Sequence, residues 1–263
     1  MLILLALALS ALTQETTTAR TKVEAVGLSV HKAPYQGDKE LGPGMNPAPG
    51  IAVSVLVAVE EGGIIKLDER KSRISKFADD KGSDLLAAQP AKDSFSAGPI
   101  GAFPKYSKDR KAFVVELQAH ACPVPGAKSL QIEGSLALTL GKDQEVVKQE
   151  KVEARKDVTF KAGSASFKIT QAGKNDFGDD PMRISLESKD GLKIAAIRFL
   201  DPAGKEIESH LGSRGSMSFG GDATYSWDYT LKQMVPNVTV EVTLWKKVET
   251  LQVPLKLSVS LGL

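Results

Sequence analysis

Between residues 251 and 261 apolar and polar side chains alternate without a break. Leu251, Val253, Leu255, Leu257, Val259 and Leu261 fall on one face, and Gln252, Pro254, Lys256, Ser258 and Ser260 on the other. A period of two is the signature of a β-strand with one buried face, because successive side chains point to opposite sides of the pleat. The spacing recurs in Ile51, Val53, Val55, Val57 and Val59, in Leu130, Ile132, Leu136, Leu138 and Leu140, and in Val238, Val240, Val242 and Leu244. Helical spacing is nearly absent. Residues 67–77 admit one short helix, although Ser72 to Phe77 reads equally well as strand. Parallel sheets need crossover helices, so the expectation is antiparallel strands stacked in sandwiches. Pro254 has no N–H to give to a ladder, which places the last strand at an edge or at a bulge.

The chain also repeats itself. Phe77, Asp79, Gly82, Asp84 and Leu85 match Phe199, Asp201, Gly204, Glu206 and Ile207, an offset of 122 residues. Ser94, Ser96 and Gly98 match Ser216, Ser218 and Gly220 at the same offset. With gaps, Ile51, Val53 and Val55 parallel Met182, Ile184 and Leu186, and Phe113, Val115 and Leu117 parallel Tyr225, Trp227 and Tyr229. Ile132, Glu133 and Leu136 parallel Val240, Glu241 and Leu244. Each half then holds about seven strands, the number in an immunoglobulin-like sandwich. The expected fold class is all-β: two tandem immunoglobulin-like antiparallel β-sandwich domains related by an internal repeat, spanning 22–158 and 159–263. The first domain is the longer, chiefly through loops at 32–50 and 87–110. Asp201-Pro202-Ala203-Gly204 has Asp, Pro and Gly where a type I turn prefers them, and Asp79-Asp80-Lys81-Gly82 fills the same frame. Both aspartates are expected to cap the amides of their own turns.

Residues 1–12 read MLILLALALSAL. That run is shorter than the roughly 20 residues a bilayer span needs and matches the apolar region of a secretory signal peptide. We therefore expect a signal peptide over 1–13, although no Lys or Arg precedes it, and a polar tail over 14–21. No transmembrane segment is expected in the mature chain, which is placed in the cell envelope, the periplasm or the exterior.

Lys+Arg is 34 and Asp+Glu is 32, a formal net charge of +2. So balanced a chain with no long basic run is not expected to bind nucleic acid electrostatically. The single cysteine, Cys122, forms no internal disulfide and reads as a small side chain in a turn. Tyr225, Trp227 and Tyr229 share one face, but the repeat pairs them with Phe113, Val115 and Leu117, which makes them core. Trp245 lies on the polar side of its strand and adjoins Lys246 and Lys247, a candidate binding surface. Asp176, Asp179 and Asp180 form the densest acidic cluster and are candidate metal ligands, although their spacing is not that of an EF-hand loop. His31, His120 and His210 show no metal-binding spacing. No Gly-x-Ser-x-Gly, phosphate loop or dinucleotide fingerprint occurs. Asn237-Val238-Thr239 is a glycosylation sequon.

The residues assign no cofactor and no catalytic group. The expected function is an exported, non-enzymatic binding or structural protein whose partner is a protein or glycan of the envelope. The alternatives are a carbohydrate-binding module and a metal-dependent exported hydrolase.

Overall fold

The computed structural model describes residues 16–18, 21–31, 50–87, 98–101, 103–176, 178–219 and 222–262. The expected signal peptide, most of the loop at 32–50 and residues 88–97 of the second loop lie outside them. The described chain is nearly all β. Its three five-stranded sheets are antiparallel and sandwich-like, and its one helical turn is a 3-10 turn at Gly191–Lys193.

The first sheet has the order β1-β2-β3-β6-β5. It comprises β1 (Thr16–Thr18), β2 (Thr21–His31), β3 (Gly50–Val59), β5 (Lys105–Tyr106) and β6 (Ala112–Ala119). Alternation makes β3 central. Its β-branched residues Ile51, Val53, Val55, Val57 and Val59 are all buried, and Val55 lies opposite Ala25 on one side and Val115 on the other. Thr16–Thr18 fall in the expected polar tail but pair with Thr21–Val23.

The second sheet has the order β13-β14-β10-β9-β8. It comprises β8 (Thr159–Ala162), β9 (Ala165–Lys174), β10 (Met182–Ser188), β13 (Ser209–Phe219) and β14 (Asp222–Leu231). The third, β12-β11-β15-β7-β4, comprises β4 (Gly63–Asp79), β7 (Ser129–Glu153), β11 (Ile194–Leu200), β12 (Glu206–Ile207) and β15 (Asn237–Ser260). Residues 67–77, which admitted a helix, lie inside β4. β11 pairs with β15 over Thr239–Leu244, so the half of β15 that carries Pro254 is not covered by β11.

The chain forms two compact units, one of Met1–Leu140 with Thr250–Leu263 and the other of Gly141–Glu249. A boundary at 158/159 is therefore replaced by crossings at 140/141 and 249/250. The reason lies in β7 and β15, which run for 25 and 24 residues where a strand averages about 5–6. Each gives one half to either unit. Residues 142–151 are rich in charge, and the strand continues through them.

In the first unit Val53, Val55 and Leu117 pack with Phe77, Leu130, Ile132 and Leu255. In the second, Ile184, Leu186 and Trp227 pack with Phe199, Val240 and Val242. The first-sheet and second-sheet strands supply one wall of each core, and third-sheet strands the other.

The two aspartate turns share one hydrogen-bond frame. Asp79 Oδ1 accepts from the amides of Lys81 at 3.0 Å and Ser83 at 2.9 Å. Asp201 Oδ1 accepts from Ala203 and Lys205, both at 2.9 Å. Gly82 and Gly204 close the turns with φ of 88° and 82°, a region that glycine enters without steric cost. Asp79 does more: its Oδ2 accepts from the Val124 amide at 3.0 Å, which ties the loop after β6 to the end of β4.

Candidate functional site

The second unit carries an open cavity of about 710 Å³. Three registered rows of side chains build it. In the first, Thr159 on β8 pairs with Lys168 on β9, which pairs with Glu187 on β10. In the second, Phe160 pairs with Phe167, and Ser188 lies at the end of β10. In the third, Lys161 pairs with Ser166, with Lys189 and Thr224 beyond. Cross-strand partners share a face, so the first and third rows stand together and the aromatic row between them turns inward.

The local sequence explains this division. Ala165, Phe167 and Ile169 are buried, while Ser166 and Lys168 are exposed. Phe160 is half-buried on the edge strand and stacks on Phe167 at 5.1 Å and 9°. Phe167 in turn meets Trp227 at 6.3 Å, so the aromatic row is anchored in the core. The Lys168 ammonium lies 2.8 Å from Asp157; that bond raises its pKa and lowers that of Asp157. The outer face thus combines ammonium groups and hydroxyls with the carboxylate of Glu187, with Asp157 on Lys168 and Asp190 on the Ser166 amide, while the aromatic row lies on the core side. It can hold a polar ligand through several weak contacts.

The acidic cluster is dispersed in its chemistry. Asp176 and Asp179 are exposed. Asp180 turns back onto the sheet, where it accepts from the Thr230 hydroxyl and lies 2.9 Å from Lys232 Nζ and 3.4 Å from His210 Nδ1. The Thr230 hydroxyl and the Lys232 ammonium hold its pKa down at about 2. Phe177 lies outside the described residues. Among the described residues no group of three or more His, Cys, Asp or Glu side chains is placed to hold a metal ion.

Trp245 is half-buried rather than projecting. Its indole covers Gly141, where an added Cβ would lie 2.2 Å from the ring, an aromatic-over-glycine pairing that closes a gap in a sheet. Lys247 Nζ lies 2.9 Å from Asp143, and Lys246 is exposed. The polar side of this strand is not uniformly wet either, since Glu241 is only 7% exposed. Burial would raise its pKa, but Lys148 and Arg198 bond to it and bring it below the ordinary value.

Trp227 and Tyr229 are core, 3% and 7% exposed, and Tyr225 packs against that core. Burial pushes the Tyr229 hydroxyl up to about 12. The Cys122 thiol donates to the carbonyl of His31 at 3.2 Å and is a structural tie. No helix among the described residues is long and apolar enough to cross a membrane.

The cavity residues Phe160, Lys161, Lys168 and Lys189 were not singled out from sequence. The available signal was Lys161, Ser166 and Lys168 alternating with Phe160 and Phe167, but without register those residues look like any solvated strand pair. Compared with family models, curated proteins and solved structures, the chain matches none.

Proposed function

We propose that this chain is an exported, non-enzymatic binding protein of the cell envelope or exterior, and that its second unit carries the ligand surface. The cavity spanning β8, β9, β10 and β14 carries this reading. Its volume falls within the range of small-ligand sites, and its walls come from strands except at Lys189, in the turn after β10, which fixes the positions of most of the side chains. The apolar run at 1–12, with small residues after it, supports export.

We further read the two units as immunoglobulin-like sandwiches descended from one ancestral unit. The identical bonding of the Asp79 and Asp201 turns supports this. So does the matched strand order, with β3 between β2 and β6 and β10 between β9 and β14.

Two measurements test the proposal. A reporter fused after residue 21 should be delivered outside the cytoplasm. The purified chain should be retained by isolated envelope material, and Lys161→Ala with Lys189→Ala should weaken that retention. A reporter that stays in the cytoplasm together with a chain that washes freely through the envelope fraction would refute the reading.

A further inference from the structure

We infer that β13 is a self-association edge, at which two copies of this chain pair antiparallel and join their second-unit sheets into one. This goes beyond the binding reading above and does not rest on it.

The treatment of the sheet edges comes first. An unpaired edge strand offers its free N–H and C=O groups to any other strand, so edges are kept short, charged or broken by proline. Of the six strands that end a sheet, β1, β5, β8 and β12 have only two to four residues each. β4 has 17, but Asp68, Glu69, Arg70, Lys71 and Arg73 crowd its middle. The half of β15 not covered by β11 carries Pro254 and Lys256. β13 has 11 residues and none of these guards: no proline, no lysine, no carboxylate and a single arginine. Among the described residues it pairs with β14 alone, and its side chains from His210 to Met217 are exposed.

The side chains of β13 select the occupant. Gly212 and Gly215 sit inside the strand, where glycine costs stability and marks the close approach of another backbone. Nothing within the chain demands either one. A Cβ at Gly212 would come no closer than 3.6 Å to the Asp228 carbonyl oxygen, and one at Gly215 would meet only the Ser226 hydroxyl at 3.1 Å. Met217 is 62% exposed. It shares the outer face with Gly215, since their partners on β14 are Thr224 and Ser226. Beyond the bulge between Leu211 and Ser213 the register is regular through Phe219. A two-fold axis at Ser216 lays that stretch against itself. Met217 of each copy then lies over Gly215 of the other copy, so a large apolar side chain and a bare backbone meet twice, as an isologous contact requires. Arg214 does not oppose a second arginine, because position 218 faces it. The backbones of the two arginines stand about 13 Å apart along the sheet, further than the screening length of about 8–10 Å. Each guanidinium also lies 5.7 Å from the Trp227 ring of its own chain, on the core face and away from Met217.

Seven paired residues bury less than the roughly 1,200–2,000 Å² of a stable interface. The dimer is therefore weak, with a dissociation constant between about 1 μM and 1 mM. The two-fold axis closes the contact, so assembly stops at two copies.

Sedimentation of the full chain from about 10 μM to about 1 mM should show a monomer–dimer equilibrium, and Met217→Lys should weaken it about tenfold or more. Met217 is exposed, so an unchanged melting temperature will show that the variant folds. Oxidation with copper phenanthroline reads the register. Ser216→Cys places a thiol on the axis, where facing Cα atoms lie within the roughly 4.4–6.8 Å that a disulfide spans, and should give a covalent dimer. Ser209→Cys and the parent chain, whose one thiol is Cys122, should not. A monomer at every concentration would overturn the inference, and so would open-ended growth. A dimer that Met217→Lys does not weaken and Ser216→Cys does not trap would place the contact elsewhere and overturn it too.

Discussion

Asp79 and Asp201 occupy the same turn but do not carry the same load. Asp79 is 3% exposed and serves three amides on two segments, whereas Asp201 serves only its own turn. Asp79→Ala leaves three amides in part-buried hydrogen bonds without their carboxylate partner and should cost about 2–3 kcal/mol, against about 1 kcal/mol for Asp201→Ala. Urea unfolding of the two variants checks this, and equal losses would contradict it. Burial would raise the pKa of Asp79, but the amides of Val124, Ser83 and Lys81 hold it below its ordinary 3.8. A carboxylate depressed on folding stabilises the protein above its unfolded pKa, and that contribution is lost as pH falls through the folded value. Unfolding measured between neutral pH and acid should therefore show a shallower decline in Asp79→Asn than in the parent. Asp180 should titrate at about 2 by carboxyl NMR, with Lys232→Ala moving it back toward the ordinary range. The turns were legible in sequence because Asp, Pro and Gly act through bonds to their own neighbours. The tie from Asp79 to Val124 was not, since it joins residues 45 positions apart.

At the scale of elements, alternation located the core strands well. Val53, Val55 and Val57 on β3, and Val240 and Val242 on β15, are each 0% exposed. Trp227, read as core from its repeat partner, is buried, and Trp227→Ala should cost about 3–5 kcal/mol. A change below about 1 kcal/mol would place it at the surface. Trp245 shows what alternation cannot convey. Its parity is polar, yet the ring lies over Gly141 on the neighbouring strand, and that pairing exists only in three dimensions. Gly141→Ala forces a Cβ into the indole and should cost about 1–3 kcal/mol, with a red shift in tryptophan emission. Trp245→Ala should relieve most of that cost in the double variant. Additive losses would show that the ring does not cover the glycine. The cavity of the second unit was hidden for the same reason: its lysines and hydroxyls come from separate strands and the turn after β10, and only the register of β8, β9 and β10 brings them into rows.

At the scale of the whole chain, the decisive feature is that β7 and β15 each pass through both units. The second unit is thereby inserted into the first, whose closing strand is the C-terminal half of β15. Sequence placed the strands but not the boundary: residues 141–153 and 245–250 are rich in charge, yet they lie within β7 and β15. Their exposure is real, since most of residues 142–151 point to solvent. Their hydrogen-bonded continuity could not be seen from composition. The direct test is circular dichroism with thermal unfolding of two fragments, residues 141–249 and residues 163–263. The first holds every strand of the second unit and should give a β spectrum and a cooperative melt; the second lacks β8 and the β7 half and should remain unfolded. A cooperative melt from 163–263, with none from 141–249, would contradict the inserted architecture and restore two consecutive domains.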